Sequence, residues 1–350
     1  MELMPLEKIF IKKAEDKSRF PDIKGDYGAL YLGFLNHLRT CVYNRIDAAL
    51  SANSEFPAFY TAHDGEHFDE VVHYAGSLLG IETVEDSVNL EPYELYVLLV
   101  AIRIHDAGNI YGRKLHERKC FSILRDSGSA SGDDDAEKKI IASIAQAHGG
   151  TTATGSKDTI GELQNKTPLG RLFIRPRLIA SIVRFADEIC ENRKRAAGYV
   201  LKHDSVPKQS ELFQKYAATI SANVVSYKDR RLTMLYQVKA SDTARPWGCA
   251  ATGGTDGYLI DEILERLEKM DRERRYCNRF SREAYTLDAI RASIEVVNDD
   301  QETIQTIVVP ELQDKGYPDD NNGHLKESLK AFCGPLFYQT LSQKVKEEAK

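Results

Sequence analysis

Four polar positions on otherwise apolar helical stretches are the residues here whose types suggest chemistry. They are His67 in GEHFDEVVHYA, His105 and Asp106 at the end of LYVLLVAIRIHDAGN, and Asp187 in IVRFADEIC. Eight of the eleven residues from Leu95 to His105 are aliphatic or alanine, so a buried helix is expected to end on an adjacent imidazole and carboxylate. His67 precedes Val71, Ala75 and Leu78 at helical spacing, which turns its ring towards the core at the start of a helix. Asp187 stands beside the stripe Ile182, Val183, Ala186 and Cys190, where a carboxylate must be paired, protonated or bound to metal. Imidazole nitrogen and carboxylate oxygen together suit borderline and hard divalent ions, and a mixed set leaves coordination positions open for water. An open position implies catalysis rather than bracing. His63 lies four residues before His67 and can converge with it on one site.

The elements that must position these residues are mostly helical. Apolar periodicity predicts helices over 27–50, 67–79, 92–106, 117–124, 136–147 and 177–193. Breakers separate them: SGSASGDDD, where an Asp can cap the next helix, and GGTTATGSKDTIGELQ, a loop long enough to be a lid. After about residue 202 the pattern becomes β-type. ANVVSYKDRRLTMLYQVKA predicts two strands around a turn at 228–230, and ASIEVVNDDQETIQTIVVP predicts two more around 298–301, with the helix YLIDEILERLEKM between the pairs. The tail from Pro310, with GYPDDNNG and then a segment ending KVKEEAK, reads as a linker and a docking or oligomerisation helix. The expected organisation is therefore a mainly α protein: a helical core over 1–202, a small α+β unit over 203–310, and a helical tail over 311–350.

Composition narrows the partners. At 350 residues with 42% hydrophobic content the chain is expected to be a soluble globular protein, and without an apolar h-region or a long apolar run it reads as cytoplasmic with no membrane contact. Its six cysteines are scattered without a close pair, which argues against a disulfide framework and a Cys-based zinc site. A net charge of −6 disfavours non-specific attraction to nucleic acid, although a local basic patch still serves a small phosphorylated ligand.

The ordered set His67, His105-Asp106 and Asp187 resembles the H…HD…D pattern of the HD superfamily of metal-dependent phosphohydrolases, over about residues 55–200. Within it the chain looks most like bacterial HD domains of conflict and defence loci. The resemblance implies an all-α core, a metal held by those four residues, and hydrolysis of a phosphate ester or anhydride in a nucleotide, here in a setting of anti-phage defence. Relatives with two metals carry extra histidines in segments comparable to those of His116, in RKLHERK, and His148, in IIASIAQAHGG. His63, His116 and His148 would then serve a second ion, with Asp106 bridging. Many relatives have a lysine soon after HD-x-G where this chain has Asn109, so Arg113 or Lys114 is the expected phosphate-facing cation, with Arg118 beside them. The closely spaced histidines that often follow HD in deoxynucleoside triphosphate hydrolases are absent.

Plainer readings stand beside these. A lone His or Asp on an apolar helix is more often a hydrogen-bonded core residue than a ligand; the ordered set outweighs that for the four principal residues. His63, His116 and His148 can each be an ordinary helix-end histidine, and His37, His73, His203 and His324 are expected to be structural or at the surface. Arg184 can simply neutralise Asp187, Asp133 to Asp135 suit a solvated loop and cap, and TGGTDG suits a plain turn better than a phosphate cradle. The expected cofactors are one or two divalent ions, from Mn²⁺, Mg²⁺, Fe²⁺, Ni²⁺ and Zn²⁺. The expected substrate is a deoxynucleoside triphosphate or a signalling nucleotide, with Asp106 orienting a metal-bound hydroxide and His116 or His148 protonating the leaving oxygen where it is not a ligand. A protein contact, with a partner or a second copy, is expected through the α+β unit and tail. The rival readings are a nucleotide-sensing module without turnover and a nuclease.

Overall fold

The computed structural model describes residues 2–22, 24–46, 49, 65–193, 208–249, 256–314 and 324–341. His63, His203, most of TGGTDG, GYPDDNNG and KVKEEAK lie outside the described residues. The chain forms two compact units. Of the described residues, one unit takes in those up to Cys190 together with Arg275–Thr286, and the other those of Glu191–Arg274 and those from Leu287 on.

The first unit is helical, and it opens with a helix that periodicity did not announce. That helix, α1 (Pro5–Ala14), starts with Pro at its first turn, and the Glu7 carboxylate accepts from the Met4 backbone N–H at 2.8 Å. Helix α2 (Tyr27–His37) runs into a π turn (Leu38–Val42) and a 3₁₀ turn (Tyr43–Arg45), not the straight helix expected. Thr40 contributes to the change, since its hydroxyl donates to the carbonyls of Asn36 and His37 and competes with the helical ladder. Then follow α3 (Gly65–Leu78), α4 (Pro92–Ile104), α5 (Cys120–Asp126), α6 (Asp135–Gln146) and α7 (Pro176–Ile189). Every residue of α4 is buried, which makes it the central helix, and α6 and α7 pack on it while α3 packs on α7. Asp134 caps α6 through the N–H groups of Ala136 and Glu137, the capping role expected of that acidic run. A short antiparallel hairpin, β1 (Thr167–Leu169) with β2 (Leu172–Ile174), precedes α7 and was not foreseen.

The loop between α6 and β1 is pinned rather than loose. Arg177 donates to the carbonyls of Leu163 and Gly161 at 2.7 Å each, and the Tyr276 hydroxyl accepts from Ile160 N–H and donates to Asp158. Tyr285 donates to the Ser181 carbonyl, and Glu283 pairs with Arg175 at 2.7 Å. These bonds explain why Arg275–Thr286, expected within the accessory segment, belongs to the helical unit.

The second unit holds α8 (Glu211–Thr219), the sheet strands β3 (Ile220–Ser226) and β4 (Arg231–Lys239), the residues of α9 (Leu259–Ser281) up to Arg274, then β5 (Ala289–Val297), β6 (Thr303–Val308) and the short β7 (Leu312–Gln313). The two expected hairpins are present, and both turn through a non-glycine residue in the left-handed region, Arg230 and Gln301. The order in the sheet is β3-β4-β5-β6, with β4 and β5 parallel, as a helical crossover between two hairpins allows. Leu232, Met234, Tyr236 and Val238 lie opposite Ile290, Ala292, Ile294 and Val296, so one buried face runs across the parallel pair. Beyond these, short helical turns cover Leu325–Ser328 and Lys330–Phe332, and a helix runs over 336–341. Among the described residues no helix is long and apolar enough to cross a membrane.

Candidate metal centre

The helical unit gathers the four principal residues in one place, His67, His105 and Asp106 buried and Asp187 partly exposed. His67 comes from the first turn of α3, His105 and Asp106 follow the last residue of α4, and Asp187 comes from the last turn of α7. The Nε2 atoms of His67 and His105 are 3.4 Å apart, and each is 3.4 Å from Oδ1 of Asp187. Asp106 Oδ2 is 3.9 Å from His67 Nε2. Its other oxygen, Oδ1, faces the opposite way, 2.7 Å from His116 Nε2 and 3.5 Å from His148 Nε2. Two groups of donors result, His67 with His105 and Asp106, and Asp106 with His116 and His148, each group lying within 4.8 Å. Two donors bound at about 2.1 Å to one ion stand roughly 3 to 3.5 Å apart at octahedral or tetrahedral angles, so these spacings fit metal ligation.

Ring orientation supports the same fit. The Nδ1 atoms of His105, His116 and His148 meet the carbonyls of Ile102, Arg113 and Ala145 at 2.7, 3.0 and 2.7 Å. A carbonyl only accepts, so Nδ1 carries the hydrogen and the neutral ring's lone pair is on Nε2. His67 differs, with its Nδ1 3.6 Å from the thiol of Cys190. His116 Nε2 is buried without a hydrogen-bond partner of its own, although the Asp106 carboxylate is beside it. Two electron-rich atoms so close in a buried place call for a cation or a proton between them.

Electrostatics is set by this crowding. Burial opposes protonation of His105, but the Asp187 and Asp106 carboxylates outweigh it and raise the ring to about 9. Burial likewise favours a neutral Asp106, yet Arg113, His105 and the adjacent His116 and His148 rings hold it well below the usual carboxylate range. For Asp187 burial again opposes ionisation, and His105 and His67 overcome it, so this carboxylate too stays ionised far into acid. Both carboxylates therefore stay ionised at neutral pH, facing the His105 ring and the Arg113 guanidinium.

Local backbone features bring the second group of donors in. Gly108 has ordinary φ, so what it provides is space. A Cβ there would stand 2.1 Å from the His116 carbonyl oxygen and 2.9 Å from Lys119 Cβ. Only hydrogen lets the turn Ala107–Tyr111 lie against the turn His116–Lys119. Leu115, just before His116, takes the left-handed conformation at φ 56°, which costs a non-glycine residue about 1–2 kcal/mol and is tolerated where surroundings enforce it.

The expected cations divide. Arg113 stands beside the centre, with Nη1 3.6 Å from Asp106 Oδ2 and 3.3 Å from Asn109 Oδ1, while Lys114 and Arg118 are exposed on the same segment. Arg184 reaches the loop, donating to Thr159 Oγ1 at 2.9 Å and to the Lys157 carbonyl. Sequence reasoning passed over Asn109 as a fully buried partner of Arg113, Glu117 as a buried carboxylate 3.5 Å from His116 Nδ1, and the Cys190 thiol against His67. Adjacency to His116 and to the Asp187 stripe was the available signal. A cavity of about 740 Å³ lies elsewhere in this unit, lined by residues such as Lys12, Glu91, Lys166 and Phe173, and contains none of the ligand candidates.

Comparison with curated proteins and with solved structures gave no match. The family HD-CE, in contrast, matches residues 56–269, more than half of the chain. That span begins just before the His67 helix and takes in both donor groups, so the buried His/Asp arrangement lies within the matched region. On this match the chain belongs to the HD-CE family.

Proposed function

We propose that this protein hydrolyses a phosphate ester or anhydride bond of a nucleotide, using one or two divalent ions. His67, His105, Asp106 and Asp187 would hold the first ion, and Asp106, His116 and His148 the second. The observation that carries this reading is the sharing of one buried carboxylate, Asp106, by two donor groups, in a chain of an HD-type family. A bound divalent ion supplies water acidified towards neutral pH and positive charge for the phosphoryl oxygens.

The chain supplies the rest. Asp106 directs one oxygen to each donor group and so fixes their separation. Asp187 lies 3.4 Å from both His67 and His105, and at 26% side-chain exposure it is the most accessible of the four principal residues. Arg113 is half-exposed with its guanidinium held by Asn109 and Asp106, a position from which it clamps a phosphate at the mouth of the centre. Lys114 and Arg118 add positive charge along the same segment. Where a single ion is held, His116 Nε2 carries the proton for the leaving oxygen, its orientation fixed by the Arg113 carbonyl. The substrate in this reading is a deoxynucleoside triphosphate or a signalling nucleotide.

The test is phosphate release by the purified full chain over a panel of such nucleotides with Mn²⁺ or Mg²⁺. Turnover of at least one member supports the proposal. Tight binding of one nucleotide without turnover of any would replace it with a sensing module, and cleavage of single-stranded nucleic acid alone would replace it with a nuclease. A role in anti-phage defence belongs to the same proposal: cells expressing the chain should resist phage, and cells expressing Asp106→Asn should not.

A further inference from the structure

One charged side chain next to the centre takes no part in the proposed chemistry. Arg103, two residues before His105, is fully buried in the last turn of α4, a helix whose residues are mostly apolar. Its Nη2 donates to Glu7 of α1 at 2.6 Å and its Nη1 to Asp69 of α3 at 2.5 Å, while Nε donates to the Tyr31 hydroxyl at 3.2 Å. Asp69 in turn is two residues after His67 and takes both oxygens to Arg39 at 2.8 and 2.9 Å. The residue between them, Phe68, stacks on Tyr43 at 4.2 Å with the rings nearly parallel, and meets the His105 ring in a T-shaped contact at 5.4 Å. Tyr43 closes the circuit by donating to the Arg103 carbonyl at 2.7 Å.

We infer that Arg103 is a positioning residue that locks the start of α3 to the end of α4, and so fixes the separation of His67 from His105. The planar guanidinium makes this possible because it addresses Glu7, Tyr31 and Asp69 at once in fixed directions, which an ammonium on a flexible stem does not. Stability is a poor explanation for such a group, because a buried ion network is often matched or exceeded by well-packed apolar side chains of similar volume. What apolar packing lacks is direction. Each end of the Arg103–Asp69 bridge lies two residues from one histidine, so a slip of one helix along the other reaches both ligand candidates. The second donor group, on His116 and His148, has no such tie to Arg103.

This inference rests on the metal reading of His67 and His105, and the experiment separates the two. Co²⁺ is titrated into the full-length metal-free wild type, into Arg103→Lys, and into the triple variant Glu7→Gln, Asp69→Asn, Arg103→Met, with the visible Co²⁺ bands and metal-free melting recorded for each. The wild type should bind Co²⁺. The triple variant should fold with near-normal melting yet lose at least about tenfold in Co²⁺ affinity, the size found when groups that orient a ligand are lost, with altered bands. A folded triple variant with wild-type affinity and bands would overturn the positioning role. Should the triple variant not fold, Arg103→Lys decides: it keeps the charge but not the fork, so weakened, spectrally altered Co²⁺ binding supports the inference and unchanged binding refutes it. A wild type that binds no Co²⁺ removes the metal reading and the inference with it.

Discussion

Asp106→Asn tests the centre most directly, because it keeps the shape of the side chain and removes only its charge. Asp106 is 3% exposed and faces His67 with one oxygen and His116 and His148 with the other, so the change reaches both donor groups. Losing a group that merely orients a ligand costs about 10- to 100-fold in affinity or activity, so losing a charged ligand shared by two groups costs at least about a hundredfold. At about 1.4 kcal/mol per decade that is about 2.8 kcal/mol. Folding should suffer less. Asp106 stabilises the His105 and Arg113 charges but repels Asp187, so its neutralisation removes attraction and repulsion together. A loss of about 1–3 kcal/mol, the scale for a disturbed buried hydrogen bond, bounds the effect. The assay is turnover per folded molecule at saturating Mn²⁺, with bound metal and melting temperature taken on the same preparation. Near-wild-type turnover with a lowered melting temperature would refute the reasoning and leave Asp106 a core hydrogen-bond partner.

The remaining expectations concern pH and packing. His105 is raised from its ordinary 6.5 to about 9, so in the metal-free protein its contribution to stability is full below about pH 6.5 and is lost as pH rises through 9. Metal binding needs the neutral ring, so Co²⁺ or Mn²⁺ affinity should climb with pH, by about tenfold per unit if one proton is released, and level off near 9; flat affinity between pH 6.5 and 9 would count against His105 as a ligand. The lowered Asp106 and Asp187 act from the other side, their stabilisation being present above the ordinary carboxylate value and lost as acid titrates them. Gly108→Ala puts a methyl group 2.1 Å from the His116 carbonyl oxygen, so it should cost about 1–3 kcal/mol and displace His116. Metal titration should then show loss of the second ion with the first retained, and two ions bound at wild-type affinity would contradict the packing argument.

What the sequence determined by itself is the identity of the residues and the ends of the elements that carry them. An apolar run closing on His105-Asp106 and a stripe beside Asp187 are local patterns, and a helix's own period decides which face they take, so they are legible without a fold. The two hairpins around residues 228–230 and 298–301 were legible for the same reason. Tertiary structure alone decided the rest. Nothing local says that Asp106 sends its two oxygens to different histidine groups, because that depends on where the 116–119 turn lands against Gly108. Nothing local says that Arg103 is a buried tie and not a surface charge, since its partners come from an N-terminal helix and from α3, 96 and 34 residues away in the chain. Residues 275–286 likewise join the helical unit through Tyr276, Glu283 and Tyr285, bonds made over more than a hundred residues of chain. Periodicity reports which side of an element is apolar; the pairing of polar groups from distant elements is fixed only when packing excludes water and leaves each of them to find the other.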